Sequence, residues 1–211
     1  MIILTGNGKA FCAGFDLKEL GAGAAKSTAE EADNVIADAM EAFDGPIIGA
    51  INGHCITGGF EMALACDILI ASENARFADT HARVGMVPGW GLSQKLPRLI
   101  GLSRAREIAF TGAPVFARQA YEWGLVNHVV PPSELLPTAI RIAGDICTAV
   151  PEVLAQYRAL IDEGYAMPLD DALAMEHERA MAWAKQATAK AIEGRREQVL
   201  EKGRSERGEE P

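Results

Sequence analysis

The chain has 211 residues, 49% of them hydrophobic, and a formal net charge of −9. That length buries a sizeable core in one globular domain, the acidic balance argues against a nucleic-acid binder, and no apolar run reaches the ~18–20 residues of a membrane span. Cys12, Cys55, Cys66 and Cys147 form no C-x-x-C pair and no basic n-region opens the chain, so reduced thiols in a cytoplasmic protein are expected.

Met1–Thr5 is a short apolar run closed by Gly6-Asn7-Gly8, and it reads as a buried strand entering a turn. Phe11 to Leu17 reads as a strand that breaks at Gly14 and enters a short helix capped near Asp16. Such a break exposes the Phe15 N–H, although an ordinary strand-to-helix turn has the same pattern. Across Ser27–Phe43, the residues Val35, Ile36, Ala39, Met40 and Phe43 form the stripe of an amphipathic helix, which Pro46 ends. Ile47–Ile51 is a second buried strand, a glycine-opened helix runs from Gly58 to Cys66, and Ile68–Ala71 is a third strand. This alternation predicts an α/β fold with parallel pairing.

After Phe77 the chain becomes loop-rich through Gly85, Pro88, Gly89 and Gly91. Helical patterns cover Leu92–Leu99, Arg104–Phe110 and Ala117–Trp123, and Leu125–Val130 is a last strand ended by Pro131-Pro132. Residues 133–149, 151–164 and 169–191 read as helices. A boundary near Pro132 therefore separates an α/β core, 1–132, from a helical region, 133–211. The basic residues from Lys185 to Arg207, Lys190 and Lys202 among them, read as a solvated helix face, with a phosphate contact as the alternative.

The segment INGHCITGGFEMALACD, Ile51–Asp67, is the most suggestive. The first N–H groups of a helix lack intrahelical partners and carry the positive end of its dipole. Gly58 and Gly59 remove the Cβ atoms that would shield them, and Thr57 is placed to cap. Glu61 follows Gly58 by three residues, so its carboxylate lies over the same face. An oxygen polarised by the amide would be within proton-transfer reach of the acid. The competing reading, with equal claim on this motif alone, is that Glu61 favours the helix N-terminus and the glycines serve packing. Gly6-Asn7-Gly8-Lys9 fails the phosphate-loop patterns because Phe11 stands where a glycine is needed. His54, His81, His128 and His177 are too dispersed to suggest a metal cluster. Asp79 and His81 in FADTHARVG can share a face if extended, with a surface position as the alternative.

AFCAGFDLKEL and INGHCITGGFEMALACDILIASENARFA, in that order, resemble the two oxyanion-loop motifs of the enoyl-CoA hydratase/isomerase (crotonase) family, and VGMVPGWGLSQKLPRLIG and GLVNHVV continue the likeness over nearly the whole chain. The resemblance implies an α/β spiral of ββα units with a helical C-terminal region that assembles trimers or hexamers. It implies an acyl-CoA thioester substrate, with coenzyme A entering only as part of that substrate and no metal or redox cofactor. The backbone N–H groups of Phe15 and Gly58 would form the oxyanion hole, and Ala13, Asp16, Leu17, Gly59 and Thr80 would contact substrate. Glu61 aligns with the first catalytic glutamate, and His81 stands at the second. The implied activity is hydration of a trans-2-enoyl-CoA, of the fatty-acid β-oxidation type. The alternatives are a 3-enoyl-CoA isomerase using Glu61 alone and a non-catalytic acyl-CoA binder. Three arrangements are open: His81 replaces the acid, Asp79 reaches in from a shifted loop, or Glu61 works alone. Relatives carry a further N-terminal segment that supplies strands and grips the adenine end, so lower stability and weaker coenzyme A binding are expected of this chain.

Overall fold

Two four-stranded sheets, with the first six strands alternating between them along the chain, form the core of the computed structural model, which describes residues 1–19, 35–185, 193–196, 199–200 and 203–204. β1 (Ile2–Thr5) lies in the first sheet and β2 (Ala10–Cys12) in the second, followed by a helical turn at Leu17–Glu19. After α1 (Val35–Glu41) the pattern returns with β3 (Ile47–Ile51), β4 (His54–Ile56) and α2 (Gly58–Leu64). A third turn follows as β5 (Ile68–Ser72), β6 (Arg76–Ala78) and α3 (His81–Val84). Then come α4 (Leu92–Ile100), α5 (Leu102–Thr111), β7 (Val115–Phe116), α6 (Ala117–Glu122), β8 (His128–Val130) and α7 (Leu135–Cys147). The first sheet has the order β1-β3-β5-β8, all parallel. The second has the order β2-β4-β6-β7, parallel except for β7. This is the expected spiral of strand–strand–helix turns.

Alternation within the first sheet divides the core into two layers. Ile48 and Ala50 of β3, with Ile70 of β5, pack beneath Leu135 and Ala139 of α7. Ile51, Leu69 and Ala71 point the other way, into a larger cluster with Phe60, Phe77, Leu92 and Leu96. Phe60 and Phe77 are both fully buried, with ring centroids 5.4 Å apart. Each buried ring contributes about 1.5–3 kcal/mol.

Several expectations are corrected. β1 is an edge strand of this sheet with Ile2 exposed, rather than a strand buried on both sides. The three-residue strands β4 and β6 and the two-residue β7 are too short for a period-2 pattern to register, and the strand read at Leu125–Val130 is only His128–Val130. Residues 20–34, which hold much of the helix read at Ser27–Phe43, lie outside the described residues, as do Lys190, Lys202 and Arg207.

The chain divides into two compact units, Met1–Val150 and Pro151–Pro211. Because α7 packs on β3 and β5, it belongs to the first unit, and the division falls after Val150 rather than near Pro132. In the second unit α8 (Pro151–Tyr165) packs on α9 (Leu169–Ala184). Arg179 of α9 grips both carboxylate oxygens of Glu163 on α8, a hydrogen-bonded pair that holds the Glu163 carboxyl below its ordinary range. Among the described residues no helix is long and apolar enough to cross a membrane.

Candidate active site

β2, β4 and β6 run parallel and side by side, with Cys55 in register between Cys12 and Phe77, so the chain leaves all three at one rim of the second sheet. The segments that follow them, beginning at Ala13, Thr57 and Asp79, meet there. Parallel sheets place ligand sites at this end of their strands.

The turn between β1 and β2 is pinned to the end of β3 by one side chain. Asn52 accepts the Gly6 N–H at 3.0 Å and donates to the carbonyls of Gly8 and Ala10 at 3.1 and 3.2 Å. After β2, Gly14 has φ +84°, and a Cβ there would lie 3.2 Å from the Ile56 carbonyl and 3.6 Å from the Gly58 nitrogen. The first two loops are thus in backbone contact, which a side chain at position 14 would spoil. Asp16 accepts the Lys18 N–H at 2.8 Å and so caps the short helical turn.

Thr57 precedes α2 with φ 54° and ψ −110°, the one positive φ at a non-glycine position among the described residues. Three bonds hold it there: its N–H donates to Ala78 at 2.9 Å, its hydroxyl pairs with that of Thr80 at 2.5 Å, and it accepts the Thr80 N–H at 3.2 Å. The hydroxyl is therefore committed to the third loop and does not cap α2, contrary to expectation. The Thr57 carbonyl accepts the N–H groups of Phe60 and Glu61. The amides of Phe15 and Gly58 donate to no described residue, and both residues line the same cavity of about 220 Å³.

The paired glycines have different reasons. A Cβ on Gly59 would stand 2.1 Å from the Cys12 carbonyl oxygen, so that glycine lets α2 lie against β2. A Cβ on Gly58 would meet nothing nearer than Trp90 at 3.6 Å, so the fold has room for alanine there and the open space belongs to the cavity.

Glu61, Asp79 and His81 are all buried, at 3%, 3% and 6% exposure. One Glu61 oxygen, Oε1, accepts the Trp90 N–H at 2.8 Å, and the other, Oε2, lies 3.6 Å from His81 Nε2. His81 Nδ1 is 2.7 Å from Asp79 Oδ1, which also accepts the His81 backbone N–H at 3.0 Å. Burying charged groups without such partners costs several kcal/mol. An apolar core would be a cheaper way to fill this space, so the cluster points to chemistry rather than stability. Among the described residues no group of side chains is arranged to hold a metal ion.

Of the remaining expected contacts, Ala13, Leu17 and Thr80 line the cavity. Asp16 faces solvent at the helical turn and Gly59 faces Cys12, so neither reaches it. Trp90 is the residue that sequence reasoning missed. Its N–H orients Glu61, its ring lies 5.6 Å from that of Phe15, and with Met86 and Val87 it forms an apolar wall. The only signal was an aromatic residue between two glycines in an otherwise featureless loop.

Comparison with known proteins agrees with this architecture. The family model described as enoyl-CoA hydratase/isomerase matches residues 1–206. A protein of Arabidopsis thaliana named as a probable peroxisomal enoyl-CoA hydratase 1 is 46% identical over 189 residues, which span 87% of this chain and 69% of that protein. A short-chain-enoyl-CoA hydratase of Clostridium acetobutylicum is 39% identical over 84% of this chain and 69% of its own length. The crystal structure of enoyl-CoA hydratase from Bacillus anthracis superposes with a TM-score of 0.84 at 39% identity, covering 96% of this chain and 78% of that one.

Proposed function

The chain belongs to the enoyl-CoA hydratase/isomerase family, and from that premise we propose that it hydrates the 2,3-double bond of a trans-2-enoyl-CoA. The observation that carries this reading is the opposition of Glu61 Oε2 and His81 Nε2 at 3.6 Å, in a cavity also lined by Phe15 and Gly58, whose amides donate to no described residue. The thioester carbonyl oxygen would accept the Phe15 and Gly58 N–H groups. Addition of water at C3 drives charge onto that oxygen, and fixed backbone donors aimed at it would stabilise it by several kcal/mol. One of the two opposed side chains takes a proton from water and the other delivers one to C2. The thioester itself supplies the acidity, so the reaction asks for no metal or redox group. A lone Glu61 would suit double-bond migration, but a second proton carrier within reach favours hydration over isomerisation and over mere binding.

The surroundings of the reaction belong to the same proposal. Tyr157, Ile161, Leu169 and Leu173 on α8 and α9 are exposed apolar residues, which supports subunit contacts of a homotrimer or hexamer through the C-terminal region. The four cysteines are free thiols, which supports a cytoplasmic setting. Crotonyl-CoA hydration tests the assignment directly. Glu61→Gln should abolish turnover while crotonyl-CoA binding by calorimetry stays within a few-fold, and substantial turnover in this variant would remove Glu61 from the mechanism.

A further inference from the structure

On the basis of this acid–base assignment, we propose that Asp79 is a positioning residue that holds Nδ1–H of His81 and confines the ring's proton exchange to Nε2. The bonding pattern points to one tautomer. Asp79 Oδ1 accepts the His81 backbone N–H at 3.0 Å, and that donor cannot act as an acceptor. As a carboxylate that oxygen has no hydrogen to give, so the 2.7 Å contact assigns the hydrogen to Nδ1 in this proposal. Two bonds to one buried carboxylate oxygen also set the ring's orientation, as carboxylates do for imidazoles in other acid–base sites.

The oxygens of Glu61 are sorted in a similar way. Oε1 is engaged by the Trp90 N–H and Oε2 faces His81, so the exchanging proton is assigned to Oε2. The one nitrogen and the one oxygen free to exchange protons therefore face each other, at 3.6 Å, too far for a direct hydrogen bond and with the cavity beside them. In the step this supports, the Nε2 lone pair takes a proton from water as the water oxygen bonds to C3. The C2–C3 π electrons move to the thioester, giving an enolate at the Phe15 and Gly58 amides. Glu61 Oε2–H then protonates C2 and the carbonyl re-forms. The imidazolium, held meanwhile by Asp79, returns its Nε2 proton to Glu61 through a water entering the cavity between them. One water is consumed and nothing is oxidised or reduced.

The test measures crotonyl-CoA hydration by the full chain and its Glu61→Gln, His81→Gln, Asp79→Asn and Asp79→Asn/His81→Gln variants, with thermal unfolding of each. Asp79→Asn is expected to lower kcat about 100-fold, within the range of one acid–base group, with KM changed less than about twofold. In the His81→Gln background the same substitution should cost less than about threefold, because no ring remains to position. Full turnover in Asp79→Asn, or an equal loss in both backgrounds, overturns the proposal. A readout on the unsubstituted protein holds even if Asp79→Asn fails to fold. Nitrogen NMR of the His81 ring should show Nδ1 protonated, and a bare Nδ1 beside a protonated Nε2 overturns the proposal. Loss of activity in Glu61→Gln and His81→Gln beside full activity in Asp79→Asn sinks the Asp79 role alone. Full activity in all three sinks the hydratase reading together with it.

Discussion

Adjacent alanine substitutions at Gly58 and Gly59 should fail in opposite ways. At Gly59 the new methyl would sit 2.1 Å from the Cys12 carbonyl oxygen, 2.7 Å from its carbon and 2.8 Å from Cβ. Those atoms belong to or adjoin the backbone of β2, so no rotamer change relieves the overlap and α2 must move off the strand. Overpacking of this kind costs typically about 1–3 kcal/mol, and at roughly 2–4 °C per kcal/mol for a chain of this size the unfolding temperature should fall by about 2–12 °C. At Gly58 the nearest atom would be Trp90 Cζ3 at 3.6 Å, an ordinary contact, and alanine is a better helix former than glycine. Gly58→Ala should therefore unfold within about 2 °C of the unsubstituted protein. Its methyl, however, enters the cavity where, in the proposed function, a thioester oxygen approaches the Gly58 amide, and losing one oxyanion donor would cost about 10²–10³ in kcat. Crotonyl-CoA turnover and thermal unfolding measured on both variants separate the two effects. Gly58→Ala with near-normal turnover, or Gly59→Ala with unchanged stability, would refute the division of roles drawn from the cavity geometry.

Trp90→Ala keeps the backbone donor to Glu61 but removes the ring that lines the cavity beside Phe15, where the proposed function seats the acyl chain. The kcat/KM ratio for octenoyl-CoA over crotonyl-CoA should rise about tenfold, as expected for extra methylenes in an apolar pocket, and an unchanged ratio would place the acyl chain elsewhere. The cysteines should differ in reactivity. Burial pushes the Cys55 thiol well up, and burial together with Asp67 pushes that of Cys66 to about 12, whereas Cys147 is exposed. At pH 8 iodoacetamide should label Cys147 in the folded protein and reach Cys55 and Cys66 only after unfolding. Mass mapping that found Cys66 labelled as fast as Cys147 would contradict that packing.

Legibility in the sequence tracked the range of the interactions involved. β3 and the helix opening at Gly58 were readable because hydrophobic pattern and glycine placement are local. The strands β4, β6 and β7 were not, because a run of two or three residues carries no period and is made a strand only by the neighbour it pairs with. At the site, Glu61 was visible through its position on the helix, but its orientation was not. That depends on the Trp90 amide, which arrives from a loop 29 residues later. Thr57 was misread for a similar reason. As a helix-preceding threonine it has the local signature of a cap, yet its hydroxyl is drawn away by Thr80, 23 residues downstream.

The histidine at a position where the family resemblance calls for a glutamate is best understood through the three strands that end at the common rim. The fold contributes a place and a direction: β6 ends at Ala78 beside β4, and the residues just beyond it face the start of α2. What stands there must present one proton-exchanging atom to Glu61 and leave the local charge suited to a water of addition. A glutamate does both with one side chain. A neutral imidazole hydrogen-bonded to an ionised carboxylate carries the same net charge and also presents a single lone pair, provided the carboxylate occupies the other ring nitrogen. Asp79, two residues before His81, is close enough to occupy it, and the His81 backbone N–H that its carboxylate accepts holds the spacing. Under the proposed roles the histidine and its neighbour act as one unit, and a histidine here without Asp79 would leave the tautomer unspecified.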